Sequence, residues 1–561
     1  MTVSEKKPST CFDTSVEYQN NIKVLSIDNT EITDATIERM YAGITYTSGA
    51  KRKFRIAIVG QGLSGFAVVG SLIRDIFKHH LEEKIKIYWI GDSQEVGRGY
   101  PFASWLPSAM VSDHEIFNTG DYSFTDTKQK MDDYLEWSKS KKLPTPDYPS
   151  RRQYGNYLQE QAEKMIYSAH EKGIDLEVMS STQVNDVKTL NNEAILSTSK
   201  FDDLQMDSIV LSTGHSRNDF PDLYLNTLGY FREMCCYDDM AAIRHYITSQ
   251  QVKQVIIRGM SLSAIDLIRW INDEFPKIKI LAFSRRGIFP AIRGNVTTYQ
   301  PEIFTIENLK KENQFQRHFS LESVVAAFCE EVRKAYGGTE IFWHSPLGLA
   351  IKNKFQGDYT EALDDLIKEA QSGEIALRSV FLGMREIAQE IYENYLDDEA
   401  KRRFQAEFGI YWRSIQSAMP LPVAEQLLKL MKSGQLIFCA SSESPSYDTK
   451  NKAFQMPLSG GSTFNAEAFL EARGWGQNST TNTLIQNMSR NALLSLNSQG
   501  NIQFNTKNLR VISHAAIPIY VIGPLTLGAR LIPSSANIAI KDAMLISQDM
   551  LNPILIDNKQ H

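Results

Sequence analysis

The residues of this chain whose types and spacing could do chemistry are first of all glycines. Gly60-Gln61-Gly62-Leu63-Ser64-Gly65 is a complete GxGxxG. Each glycine has its own physical reason: the first makes a tight turn, the second lets backbone approach a pyrophosphate, and the third seats a helix against a sheet. Leu63 and Ser64 open that helix, whose unpaired N–H groups would face the phosphates. Asp92, beside Gly91, is the candidate acceptor for a ribose hydroxyl. Further along, Gly259-Met260-Ser261-Leu262-Ser263-Ala264 follows the same pattern in degenerate form, with Ser261 and Ala264 where glycines could stand. Two arginines, Arg285 and Arg286, occupy the place of the ribose acid in this second unit. A guanidinium fork binds a 2′-phosphate where a carboxylate would repel it, so NADPH is expected there. The alternative is a solvated arginine pair after an ordinary turn.

These residues act only if strands and helices hold them. The run Phe54-Arg55-Ile56-Ala57-Ile58-Val59 reads as a strand ending at Gly60. Ala67, Gly70 and Ser71 then allow close helix packing, and Leu72, Ile73, Ile76 and Phe77 form an apolar stripe. A second strand is expected over 85–90, ending at Gly91-Asp92. The later unit repeats this order: a strand at 255–257, a helix through Trp270 and Ile271, Pro276, and a strand at 278–283. The fold class expected is α/β, with two Rossmann-like dinucleotide-binding domains, FAD at the first and NADPH at the second.

Composition narrows the partners. Sixty Lys and Arg against 66 Asp and Glu give a net charge of −6, which argues against nucleic acid. With 42% hydrophobic and 22% charged residues the chain should mostly fold. Five cysteines, at 11, 235, 236, 329 and 439, suit neither a disulfide scaffold nor a four-ligand zinc site, and no metal site is expected. The start MTVSEKKPST lacks an apolar signal core, and no long apolar run follows, so a cytoplasmic protein without membrane contact is the expectation. Residues 1–50 carry no usable motif, and the question of a homo-oligomer stays open.

The two turns together resemble the two-dinucleotide flavoproteins, and among them bacterial proteins related to flavin-dependent N-hydroxylating monooxygenases, the branch that includes amino-acid N-monooxygenases and nitrosuccinate synthase. The resemblance spans roughly 54–545. It includes the loop Gly97-Arg98-Gly99-Tyr100 and the stretch Ser150-Arg151-Arg152-Gln153-Tyr154-Gly155-Asn156-Tyr157-Leu158. It also includes Ser212-Thr213-Gly214-His215, similar to an "ATG" turn, and Gly523-Pro524-Leu525-Thr526-Leu527-Gly528, similar to the closing flavin loop before a helix from about Asn537. The resemblance implies cofactor contacts at Gly97, Arg98, Gly99, Thr213, Gly214, Gly523, Pro524 and Leu525. It implies that the last helix points its N-terminus toward the flavin, where the dipole would stabilise a reduced ring.

The activity implied is NADPH-consuming monooxygenation through a flavin hydroperoxide, N-hydroxylating an amino acid or other small amine with molecular oxygen. Asn118, in Ile116-Phe117-Asn118, resembles the asparagine of the branch's "LLN" segment; an Asx turn before Gly120 is the alternative. An amino-acid carboxylate would need an arginine, and Arg293 and Arg413 are the candidates, each equally readable as a structural ion-pair residue.

Ser150 and Gln153 read as a capping box. Arg151 and Arg152 oppose the dipole of the helix they start, which asks for a partner: a cofactor phosphate, a carboxylate, or an acidic surface neighbour. Competing functions are a disulfide reductase, for which the vicinal Cys235-Cys236 is a poor dithiol, and a non-catalytic FAD/NADPH sensor. His79-His80 reads as a dipole partner, His215 as a turn residue, and Phe342-Trp343-His344 as packing. The expected division is an N-terminal extension (1–50), a first FAD segment (51–250), an NADPH unit (251–300), a mostly helical cap (301–440) and a second FAD segment (441–561). Within the cap, helices are expected over 321–335, 359–371, 380–395 and 423–431.

Overall fold

The strand FRIAIV forms because its branched residues can be buried on both faces, as a parallel sheet covered by helices requires, and Ile56 to Ile58 are fully enclosed. In the computed structural model, which describes residues 52–108, 110, 134–144, 148–217, 224–233, 236–294, 298–335, 358–372, 377–458, 461–476, 478–513, 515–532 and 536–560, this strand is Phe54–Val59. It lies at the centre of a five-stranded parallel sheet in the order Ile519–Val521, Ser208–Leu211, Phe54–Val59, Ile85–Ile90, Asp175–Met179. Val59 sits opposite both Ile90 and Leu211, so the carboxyl ends of three strands finish together at Gly60. The helix Leu63–Lys78 covers one face and packs with the terminal helix Ala536–Gln560, where Ser547 Oγ donates to Asp75 at 2.6 Å.

A second five-stranded parallel sheet has the same arrangement: Leu436–Ala440, Lys279–Ser284, Gln254–Arg258, Ala468–Glu471, Tyr230–Phe231. Its central strand again leads into a glycine turn and a helix, Leu262–Glu274. Chain order and sheet order differ here, and that moves the expected boundaries. Tyr230–Phe231 and the helix Tyr237–Ser249, which buries Met240, Ile243 and Ile247, belong to the second core, so the first FAD segment ends well before 250. Residues 441–471 are not the returning FAD segment, because Ala468–Glu471 hydrogen-bonds along Gln254–Arg258. The NADPH unit is therefore wider than 251–300 on both sides.

The helical insertion also divides. Helices Tyr359–Gln371 and Leu421–Lys432 place Leu363, Ile367, Val423 and Leu427 in the core of the second sheet. Helices Ile306–Glu312, Leu321–Ala335, Leu377–Asn394, Asp398–Glu407 and Gly409–Gln416 build a core of their own around Phe304, Phe381, Tyr392 and Trp412. Leu531 and Ile532, just past the closing loop of the first domain, complete it. Glu331, fully buried in this cap, accepts three backbone N–H groups, from Glu302, Ile303 and Phe304, and the Tyr299 hydroxyl. Buried as it is, it stays ionised by these donors. Among the described residues no helix is long and apolar enough to cross a membrane.

Candidate cofactor and substrate site

The two glycine turns are built alike. Gly60 (φ +123°) donates its N–H to Ile90 O at 2.7 Å, and a Cβ there would lie 2.2 Å from the Ser212 carbonyl oxygen. Gly259 (φ +139°) donates to Phe283 O at 2.8 Å, and a Cβ there would lie 2.3 Å from Ala472 O. Only glycine takes such a backbone angle against a neighbouring strand without strain. Gly62 caps the first helix with no side-chain cap and no acid in the first turn. The exposed Ser261 caps the second, again without a side-chain hydrogen bond and without an acid. Both helix starts thus keep free N–H groups, the requirement for a pyrophosphate. At the third position Gly65 and Ala264 are both buried against their sheets.

Other residues of the first site gather round this turn. A Cβ on Gly62 would meet the Gly99 Cα at 3.3 Å, so Gly97-Arg98-Gly99 forms a second wall that leaves room only for backbone. Gly523 approaches Ser64 so closely that a Cβ would stand 2.4 Å from its hydroxyl, which brings Pro524 and the buried Leu525 to the helix start. Thr213 Oγ1 accepts from Asn482 at 3.3 Å, and Gly214 has open space where a side chain would be. Asp92 is exposed just beyond Gly91.

Arg98 has three partners within the protein. Its three guanidinium nitrogens donate to Gln159 (2.8 Å), Asn156 (2.6 Å) and Phe102 O (3.4 Å), so it bolts the loop to the helix Arg151–Glu171. Arg98 thus holds in place the glycines on either side of it, Gly97 and Gly99.

At the second site Arg285 is exposed, whereas Arg286 is committed elsewhere. Arg286 donates to Ala406 O (3.1 Å) and Glu407 O (3.4 Å), at the carboxyl end of the helix Asp398–Glu407, and lies over the Tyr411 ring. Of the two arginines expected at a 2′-phosphate, Arg286 thus serves a helix C-terminus, where a cation is favoured, and Arg285 stays exposed. Arg413 donates to Gln405 Oε1 (2.9 Å), Gln405 to Tyr392 Oη (3.1 Å), and Tyr392 to Gly528 O (3.4 Å). That chain ties the cap to the closing loop, whereas Arg293 donates Nε to Ala418 O at 3.3 Å.

The pair Arg151–Arg152 finds protein partners. Arg151 makes an ion pair at 3.0 Å with Asp266 of the helix Leu262–Glu274, and Arg152 donates to Ser108 Oγ at 2.7 Å. Ser150 accepts from Gln153 N–H as expected, but Gln153's amide goes to Tyr134 Oη (2.8 Å) and Pro144 O, leaving half a capping box. Cys236 caps the helix Tyr237–Ser249, and burial raises its thiol rather than activating it. Asn118, Cys235, Phe342, Trp343 and His344 lie outside the described residues.

Four features escaped sequence reasoning. One had a readable signal: Ser212-Thr213-Gly214-His215 corresponds position by position to Ala472-Arg473-Gly474-Trp475, each following its sheet strand beside the glycine turn. In the structure His215 and Trp475 stack, with centroids 5.0 Å apart and planes 12° apart, and Gly476 N–H donates to Ser216 O at 3.1 Å. Tyr100 packs edge-on to Trp475 at 4.8 Å. Burial lowers the His215 imidazole to about 4, so it is neutral near pH 7. The partner Asp266, the buried Arg378, and the buried set Arg530 with Glu393 (3.1 Å) and Asp542 (2.7 Å) left no pattern to find.

Comparisons with known proteins agree with this architecture. Residues 57–216 match the FAD-NAD(P)-binding family model. The chain is 22% identical over 473 residues to the Escherichia coli protein YdhS, covering 75% of this chain and 83% of that one. Its fold is similar to ornithine hydroxylase PvdA of Pseudomonas aeruginosa, with TM-score 0.52 and 11% identity over 89% of this chain and 99% of that one. It is also similar to DfoA, the cadaverine monooxygenase of Erwinia amylovora, with TM-score 0.52 and 9% identity over 89% and 95%. The chain has the two-dinucleotide FAD/NAD(P)-binding fold.

Proposed function

We propose that this chain is an FAD-dependent, NADPH-consuming monooxygenase that N-hydroxylates an amino acid or another small amine. The observation that carries the reading is that the turns beside the two equivalent nucleotide turns meet. The strands Ser208–Leu211 and Ala468–Glu471, which flank those ending at Gly60 and Gly259, lead into turns joined by the Ser216–Gly476 bridge and the His215–Trp475 stack. A fold that puts two such edges together suits hydride transfer between two bound nucleotides.

The glycine cradle fits FAD at the first site: free helix N–H groups lie at Gly62, with Gly99 opposite and Gly523 closing over Ser64. FAD held there would supply the redox chemistry, with NADPH as the reductant. Asp92 accepts a ribose hydroxyl, and Arg285 receives the 2′-phosphate at the second site. Gly97, Gly99, Thr213, Gly214, Pro524 and Leu525 shape the first site, and Ser261 and Ser263 the second. The cap core, continuous with Leu531 and Ile532, keeps water from the closing loop.

A disulfide reductase needs a dithiol beside the ring. The free cysteines among the described residues, Cys236, Cys329 and Cys439, sit on a helix cap, a cap helix and a sheet strand, and burial raises every one of their thiols.

The test is spectroscopic. The purified protein should be yellow, and under anaerobic conditions NADPH should bleach it far faster than NADH. Arg285→Ala should cut the NADPH preference about 10- to 100-fold, the loss of one charge-assisted phosphate contact. An unchanged preference would sink the assignment of the second site. In air, an amine substrate should stimulate NADPH oxidation and yield a hydroxylamine; binding of both nucleotides without turnover would favour the sensor instead.

A further inference from the structure

Arg378 is the second residue of the helix Leu377–Asn394 and is only 9% exposed. Its Nη1 donates to Ile415 O and Gln416 O, both at 3.1 Å, at the carboxyl end of the helix Gly409–Gln416. Arg293, whose short strand pairs with Met419–Pro420, donates Nε to Ala418 O at 3.3 Å. One four-residue stretch, 415–418, thus draws two guanidiniums together inside the protein. Helix capping explains Nη1, since terminal carbonyls and the dipole favour a cation there. It does not explain the rest of Arg378. The Nε has no hydrogen-bond partner, and the titratable neighbours acting on Arg378 are Tyr148 and another cation, Arg385.

Burial leads in depressing Arg378, to about 10. Arg293 is pushed to about 10 by burial and then by the charge of Arg378. Buried cations of this kind are ordinarily matched by an anion, because leaving one unpaired in a low dielectric is costly. Among the described residues no carboxylate pairs with Arg378.

Three parts of the fold converge on this place. Arg378 comes from the cap, Arg293 follows the second sheet, and Tyr148 precedes the first-domain helix Arg151–Glu171. We infer that Arg378, beside Arg293 and Tyr148, receives the carboxylate of the substrate, so that the substrate class is an amino acid rather than a diamine. The inference rests on the monooxygenase reading for its reaction, but not for its binding site. It adds Arg378 to the expected candidate Arg293.

The experiment compares carboxylate-bearing and carboxylate-free amines on the FAD-loaded enzyme. The twenty L-amino acids are assayed beside their carboxamides or decarboxylated amines, L-lysine with cadaverine and L-ornithine with putrescine among them. NADPH oxidation and hydroxylamine formation are followed, and binding is followed separately by calorimetry. The active amino acid should lose about 100-fold in kcat/KM when its carboxylate is removed. Arg378→Met should raise its KM by about the same factor with a smaller change in kcat, and Arg378→Lys should recover part of the loss. The wild-type comparison stands even if Arg378→Met fails to fold.

A diamine as good as its amino acid, or an Arg378→Met enzyme with unchanged KM, overturns the inference. So does inhibition by acetate that is equal in wild type and Arg378→Met. If NADPH does not bleach the flavin, the monooxygenase reading fails, and calorimetric binding of the amino acid, lost in Arg378→Met, still decides the site.

Discussion

The contact between Arg151 and Asp266 should behave as an electrostatic hinge pin, and its removal gives a pH-dependent signature. Asp266 lies in the helix behind the second glycine turn and is 8% exposed, whereas Arg151 comes from the first domain. At their 3.0 Å separation, unit charges in an effective dielectric of about 20 attract by about 5.5 kcal/mol. Arg151 is about a quarter exposed and both groups lose hydration, so the net cost of Arg151→Ala should be about 2–3 kcal/mol near pH 8.

Burial already raises Asp266, with Arg151 and then Arg269 opposing. Without Arg151 its carboxyl rises further. A group whose folded pKa is raised gives stability that is lost as pH rises through that value. The gap between Arg151→Ala and wild type should therefore widen as pH climbs through the wild-type carboxyl's own raised value, and be smallest at the acid end of the range. Thermal melts across pH 5–8 would measure it, with about 2–4 °C expected per kcal/mol. Asp266→Asn in the Arg151→Ala background should recover most of the loss at pH 8. Equal losses at pH 5 and pH 8, or strictly additive effects of the two substitutions, would refute the reasoning.

Two further outcomes can be checked directly. Gly60→Ala combines a φ of +123° with a Cβ 2.2 Å from backbone, so it should cost more than about 2 kcal/mol and yield protein depleted in flavin absorbance; full flavin content would show that the turn can relax. Burial pushes the Asp542 carboxyl up to about 7, with Arg530 opposing and Glu393 adding, so its ionisation costs stability as pH rises from about 4 through 7. Asp542→Asn should flatten the fall of melting temperature between pH 5 and pH 8 and be about 1–3 kcal/mol more stable than wild type at pH 8; an unchanged slope would assign that fall to other groups.

The parts of the fold that sequence revealed are those fixed by local physics. The strands before Gly60 and Gly259, the helices after them, and cap helices such as Leu321–Ala335 and Tyr359–Gln371 follow from branched runs, glycine spacing and apolar periodicity. Sheet order was not local. Ala468–Glu471 is four residues whose neighbour in the sheet lies far back in the chain, so nothing nearby marks it as part of the second domain. The same holds at the site. Gly62 and Gly259 announce themselves, but whether an arginine meets phosphate, carboxylate or a helix end depends on tertiary neighbours. Arg98, Arg286 and Arg151 each found a protein partner, and Arg378 carried no motif at all.

The stacked rings of His215 and Trp475 bear on how the two nucleotide domains move. They extend from matching turns, one per domain, so a change in the angle between the sheets must slide or part them. Because His215 remains uncharged well below neutral pH, that junction keeps the same grip across the physiological range. Trp475 is also a chromophore, one of seven tryptophans in the chain, so the difference in emission between the wild type and Trp475→Phe would register opening and closing from within, without an added label.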